Sequence, residues 1–140
     1  MPLEQTVAAH SHRVRSIVRI VVALLFLEHG LSRLFGWPSP LPHPPAFTMY
    51  WFAGAIEFCG SVLLGLGLFT RPVALIMSGE MAFAYFISHA PRGFFPILNR
   101  GDGAILFCFI FLYLAFAGPG PWSLDEIWRK KAPAGTGPRR

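Results

Sequence analysis

The sequence predicts an all-α membrane protein: a four-transmembrane-helix bundle followed by a short C-terminal amphipathic helix at the membrane surface. Three observations predict it. Of 140 residues, 54% are hydrophobic and only 14% charged, whereas an ordinary soluble domain carries about 25% charged residues. Four apolar segments cover residues 17–36, 47–69, 73–90 and 102–118, each near the roughly 17–25 residues that a helix needs to cross a bilayer. Three of them carry a glutamate, Glu28, Glu57 and Glu80. A carboxylate in hydrocarbon costs roughly 2.5–3.5 kcal/mol on insertion scales, so each must face a bundle interior, neutralise itself or find a partner.

Residues 1–16 are polar and basic and are expected to be a flexible lead. Arg13 and Arg15 precede the first apolar run, as in a signal peptide, but no small-residue cleavage motif follows; Glu28, His29 and Arg33 come next, and apolar character extends to Phe35. A retained first span is expected. The loop after it holds Pro38, Pro40, Pro42, Pro44 and Pro45, and proline fixes φ and removes a donor, so this loop is expected to be stiff and non-helical. Its His43 reads as a surface histidine. Trp37, Tyr50 and Trp51 near its ends suit an aromatic belt.

The second span holds Gly54, Gly60, Gly65 and Gly67. Small residues let helices approach closely in a membrane, where hydrophobic burial cannot drive association. The step Arg71-Pro72 turns the chain into a tight hairpin with the third span. Pro91 to Pro96 form an aromatic loop expected to lie on the outer interface, and Asp102 serves the start of the fourth span by capping or through the helix dipole. Residues 17–118 thus form the predicted transmembrane domain. Within 119–131, Ser123 and Glu126 have capping-box spacing, Trp122, Ile127 and Trp128 face the membrane surface, and Arg129, Lys130 and Lys131 face lipid headgroups. Residues 132–140, rich in Pro and Gly, are expected to be disordered.

The net charge is +5. Arg13, Arg15, Arg19, Arg71, Arg129, Lys130, Lys131, Arg139 and Arg140 lie before the bundle, after it or in the second turn. The positive-inside rule then places both termini and that turn in the cytoplasm of a bacterial inner membrane. A nucleic-acid binder would need a soluble face for its basic stripe, and that class is excluded. Cys59 and Cys108 both lie in spans without Cys-x-x-Cys spacing and read as small core residues. Met77 and Met81 read as packing.

With alternating span directions, Glu28, Glu57 and Glu80 fall within roughly one helical turn of one another in depth. His29 is next to Glu28, Tyr85 and His89 share the third span with Glu80, and Arg33 is the expected counter-charge. Such a cluster suits proton exchange with a quinone head group, a structural ion-pair network, or a path for a small solute. Di-iron bundles supply two Glu-x-x-His repeats, which are missing here. Haem needs two histidines at one depth, and His29 and His89 differ by about two turns. No metal or haem site is expected.

The pattern resembles the DoxX family of small four-helix membrane proteins. The resemblance is carried by Glu28-His29-Gly30 with Leu34-Phe35-Gly36, by Glu57, and by Leu64-Gly65-Leu66-Gly67-Leu68-Phe69-Thr70-Arg71. Further on it is carried by Met81, Ala84-Tyr85, His89, Gly93-Phe94-Phe95-Pro96, Gly118-Pro119-Gly120 and Ser123-Leu124-Asp125. It spans residues 14–128. Asn99-Arg100-Gly101-Asp102 departs from the Gly-Glu or Gly-Tyr pair of relatives. The resemblance implies a membrane subunit of a redox system, binding a quinone and partnered by cytoplasmic or membrane redox proteins; the departure at residues 99–102 counts against thiosulfate as its substrate. A non-enzymatic scaffold or assembly factor is the competing reading. The glycine-rich faces also admit a homo-oligomer.

Overall fold

The structure is a computed structural model that describes residues 2–39 and 44–131. Pro40, Pro42 and His43 of the proline loop, and the tail 132–140, lie outside the described residues. Helix α1 runs from Leu3 to Phe35, 33 residues, or about 50 Å at the α-helical rise. The flexible lead expected over residues 1–16 is therefore helical from Leu3 onward. Glu4, Gln5, Ala8 and Ala9 are good helix formers, and Glu4 in the first turn suits the helix dipole. Gly36, left-handed at φ 69°, ends the helix by donating its N–H to Ser32 O.

Helix α2 (Met49–Leu66) returns antiparallel to α1, and Gly67 ends it at φ 69°. Two glycines set the spacing of the helices. A Cβ on Gly30 would lie 2.5 Å from Phe58 N, and one on Gly60 would lie 2.7 Å from Met77 Sδ. Helix α3 (Thr70–Ala84) follows at once. It continues into a π turn, Tyr85–His89, and a 3-10 turn, Ala90–Arg92, where Pro91 cannot extend the ladder. A short helix α4 (Pro96–Asn99) precedes α5 (Asp102–Ala117). Asp102 lies in the first turn of α5 without a side-chain cap bond, so it acts on that helix through the dipole. Helix α6 covers Leu124–Lys131, and Glu126 N–H donates to Ser123 Oγ at 3.2 Å. Among the described residues there is no strand.

Helix α1 packs along α2 and α3 along α5, with a lighter seam between α2 and α3. Phe26 of α1 also reaches α5, its ring 4.9 Å from Phe107 and 5.0 Å from Phe111. The buried core is Phe26, Leu64, Met77, Phe111 and Leu114 with smaller neighbours. Helix α2 and the stretch Thr70–Arg92 are each long and apolar enough to cross a membrane. Cys108 is half-buried, but Cys59 is exposed, contrary to the expected core placement. It falls on the side of α2 that turns away from Glu57, Gly60 and Leu64, the residues that α2 buries.

Candidate functional site

The polar groups collect at the two ends of the helix assembly. At the end holding the C-terminus of α1 and the N-terminus of α2, Arg33 meets Glu57. The Nη1 to Oε1 distance is 3.3 Å, and the glutamate is fully buried. The approach requires Gly54, since a Cβ there would lie 2.9 Å from Arg33 Cβ. Glu80 of α3 is half-buried beside them, and Arg33 interacts electrostatically with both carboxyls. Neither oxygen of Glu57 has a hydrogen-bond partner among the described residues, and neither does Glu80 Oε2. A buried acceptor without a donor is costly, and three of the seven buried, unpartnered side-chain atoms found among the described residues belong to Glu57 and Glu80.

A cavity of about 270 Å³ opens beside the trio between α2 and α3, with Arg33 and Glu80 among its lining residues. Its other walls are chiefly apolar, including Phe52, Ile56, Phe83 and Ile87. That volume lies just below the roughly 300–1,000 Å³ usual for small-molecule sites, and the lining follows the usual pattern of apolar walls with a few polar groups.

The remaining sequence-identified residues lie elsewhere. Glu28 and His29 are exposed on α1 and line a separate groove with Ser32, Arg33, Pro38 and Ser39. His29 donates from Nδ1 to Leu25 O at 3.2 Å, and its ring packs between Phe26 and Phe107. Tyr85 and His89 stack on the π turn, centroids 6.4 Å apart. His89 donates from Nδ1 to Asn99 O at 3.1 Å, which ties the π turn to the loop before α5. Asn99 itself donates to Gly93 O at 2.8 Å and accepts from Gly101 N–H at 2.8 Å. Tyr85 lines an apolar cleft between α3 and α5, not the cavity of Glu80. The structure thus joins Arg33, Glu57 and Glu80, and leaves Glu28, His29, Tyr85 and His89 outside that group.

The opposite end is closed by residues that sequence reasoning did not single out. Arg19 is fully buried in α1. It donates to Leu64 O at 2.9 Å, to Gly65 O at 3.2 Å and to Trp122 O. Arg71 donates to Ala115 O at 3.1 Å and Phe116 O at 2.6 Å, and Arg15 to Ala117 O. The carbonyls at the C-terminal ends of α2 and α5 lack intrahelical partners, and these guanidinium groups supply them where the dipole favours positive charge. Asp125 does the converse at the start of α3. Its two oxygens accept the N–H groups of Phe69 at 2.8 Å and Thr70 at 2.9 Å, while its own N–H donates to Gly67 O at 2.9 Å. The signal for Arg19 was the one already used for the glutamates, an ionised residue inside an apolar span. Asp125 carried no such mark, because its partners are backbone groups 55 and 56 residues away.

The described residues are all-helical, and two helical stretches are long and apolar enough to cross a membrane; this is the class of small all-α membrane proteins, and the relatives are named as membrane proteins too. The chain belongs to the DoxX family, whose model matches residues 14–90. It is 44% identical over 122 residues to an uncharacterized protein of Haemophilus influenzae, covering 83% of this chain and 91% of the relative. It is 32% identical over 138 residues to an uncharacterized membrane protein of Mycobacterium tuberculosis, covering 84% and 82%. It is 26% identical over 127 residues to the inner membrane protein YqjF of Escherichia coli, covering 82% and 92%. No solved structure matches.

Proposed function

We propose that this protein is an integral membrane subunit of a redox system and that it binds a quinone, or a similar flat carbonyl ligand, in the cavity between α2 and α3. The supporting observation is the join of apolar walls to a charged floor: Phe52, Ile56, Phe83 and Ile87 surround the ring, while Arg33 and Glu80 meet its polar edge. The Arg33 guanidinium donates to a ligand carbonyl, and the Glu80 carboxyl, which borders the cavity, accepts from the hydroxyl of the reduced form. A quinone that gains two electrons takes up two protons, and a carboxyl group at the cavity floor is placed to deliver one. Electrons come from a partner redox protein.

In this reading α1, α2, α3 and α5 form a four-helix bundle across the inner membrane. The N-terminus, the α2–α3 turn and the C-terminus face the cytoplasm. Support comes from charge: His12, Arg15, Arg71 and Arg129 line one cavity at the end closed by Asp125, as the positive-inside rule requires. Trp37, Phe47, Phe94 and Phe95 are exposed near the other end and suit an aromatic belt. Helix α6 then lies at the cytoplasmic surface, Trp128 toward lipid and Lys130 toward headgroups.

The test is purification in mild detergent, mass spectrometry of co-purifying small molecules, and titration with a short-chain quinone. Saturable binding that is lost in Glu80→Gln and Arg33→Gln, with the helix content unchanged, is the expected result. No quinone binding, together with a stoichiometric protein partner retained by both variants, would make the ion pair structural and the protein an assembly factor.

A further inference from the structure

We propose that a second copy of this chain covers the outward face of α1, as a parallel two-fold coiled coil running from Leu3 to Glu28.

The face that α1 buries in its own chain is Ser16, Arg19, Ala23, Phe26 and Gly30, with Val22 beside it. On the opposite side a second apolar row repeats in steps of four and three. Val7, Val14 and Val21 take one of its two positions, and Leu3, His10, Ile17 and Leu24 take the other. All seven are exposed. Such a heptad is the pattern of a coiled-coil seam, and β-branched residues in the first position with larger ones in the second favour two parallel strands. The seam carries two polar residues, His10 and Glu28, and polar residues in a seam fix register at a cost in stability.

Lipid alone accounts for the exposure of Ile17, Val21 and Leu24. It does not account for Leu3 and Val7, which lie about 20 and 15 Å beyond Ile17 along the axis. Every residue from Leu3 to Val14 is exposed; the 119–121 turn comes up against His12, on the side away from the seam, and Leu3, Val7, His10 and Val14 stay exposed. An isolated helical segment of about 12 residues is marginal in water. No proline or glycine between Leu3 and Gly30 offers the usual cause of a kink that would lay it on the bilayer. Glu28 is the next step of the same row and is also exposed, although it lies within the proposed span. Two copies inserted with one orientation meet with parallel helices, which is the arrangement the heptad favours. The inference rests on the membrane placement of α1 given above and is independent of any ligand in the cavity.

Disulfide cross-linking in isolated membranes tests it. In a full-length Cys59→Ser, Cys108→Ser background, single cysteines replace Val7 and Val14 on the seam, and Gln5 and Ala9 off it. Copper phenanthroline is the oxidant. Dimers at Val7→Cys and Val14→Cys, at least tenfold over Gln5→Cys and Ala9→Cys, are the expected result. Equal cross-linking at all four positions overturns the proposal. So does no cross-linking at sites that a maleimide labels fully, and in that case the topology still stands. If maleimide reaches Gln5→Cys only from the periplasmic side, the placement of α1 and the proposal fall together. As a second measurement, Val7→Lys with Val14→Lys should convert a detergent-solubilised dimer to monomer by native mass spectrometry, and an unchanged mass overturns the proposal.

Discussion

Replacing Arg33 with methionine removes the counter-charge of a fully buried carboxylate, and the size of the effect follows from the geometry. Two unit charges 3.3 Å apart attract by about 5 kcal/mol at an effective dielectric constant of about 20. Much of that is offset by the cost of desolvating both groups, so the pair itself adds little stability, yet breaking it from one side is expensive at about 3–5 kcal/mol. Arg33→Met should therefore destabilise by about 3–4 kcal/mol. Glu57→Met should cost less, about 1–2 kcal/mol, since Arg33 is 31% exposed and can turn toward water. The double variant should lie within about 1 kcal/mol of the wild type, because similar-sized apolar groups replace both charges. The assay is equilibrium unfolding in mixed micelles, driven by the fraction of sodium dodecyl sulfate and followed by circular dichroism. A coupling of about 4–6 kcal/mol, the two single costs less that of the near-neutral double variant, is expected; additivity within about 0.5 kcal/mol would refute the claim that the two charges act as one unit.

Three further outcomes follow from the same contacts. Arg19→Met should cost about 3–5 kcal/mol in the same unfolding assay, since it strips charged donors from the carbonyls of Leu64, Gly65 and Trp122. Arg19→Lys should recover less than half of this, because an ammonium lacks the planar fork that reaches two chain segments. Asp125→Asn should lower stability by about 2 kcal/mol, read as a fall in the thermal midpoint, because an amide cannot accept at both Phe69 N–H and Thr70 N–H. Gly30→Leu should abolish packing of α1 on α2, whereas Gly79→Ala, whose Cβ meets nothing within 4 Å, should be neutral or stabilise by up to about 1 kcal/mol. Yield of monodisperse protein on size exclusion separates these two.

The all-helical class and the position of α2 were legible because hydrocarbon solvent imposes length and composition directly. The partnership of Arg33 with Glu57 was legible too, since an ionised residue in a span demands a partner. Depth along the helices was read from the sequence, but azimuth was not. Glu28 lies at the depth of the other glutamates, yet it is two residues from both Phe26 and Gly30, about 200° around the helix from the buried face. Its placement outside the trio was therefore available in the phase of Arg19, Ala23, Phe26 and Gly30. The roles of Arg15, Arg71 and Asp125 were not available in that way. Their partners are main-chain groups of distant segments, and residue type leaves no trace of which backbone an arginine or aspartate will meet.

The segments that carry the family resemblance divide between the two ends, and the division bears on what they can mean. Leu64 to Arg71 and Ser123 to Asp125 form one closure, in which Arg19 holds the end of α2 and Asp125 holds the start of α3. A Cβ on Gly67 would run into Arg19 and Ser123, so that glycine is required twice, by its left-handed φ and by the close approach. These residues fix how the helices meet, and none of them lines the cavity of Arg33 and Glu80. Of the segments quoted for the resemblance, only Ala84 borders that cavity, while Glu57 pairs with Arg33 behind it. Since only Ala84 of these segments borders the cavity, the likeness speaks for the fold, and the proposed ligand must be read from Phe52, Ile56, Phe83, Ile87 and the charges beneath them. Substitutions at Phe52 or Phe83 should change which ligand binds without changing how the chain folds.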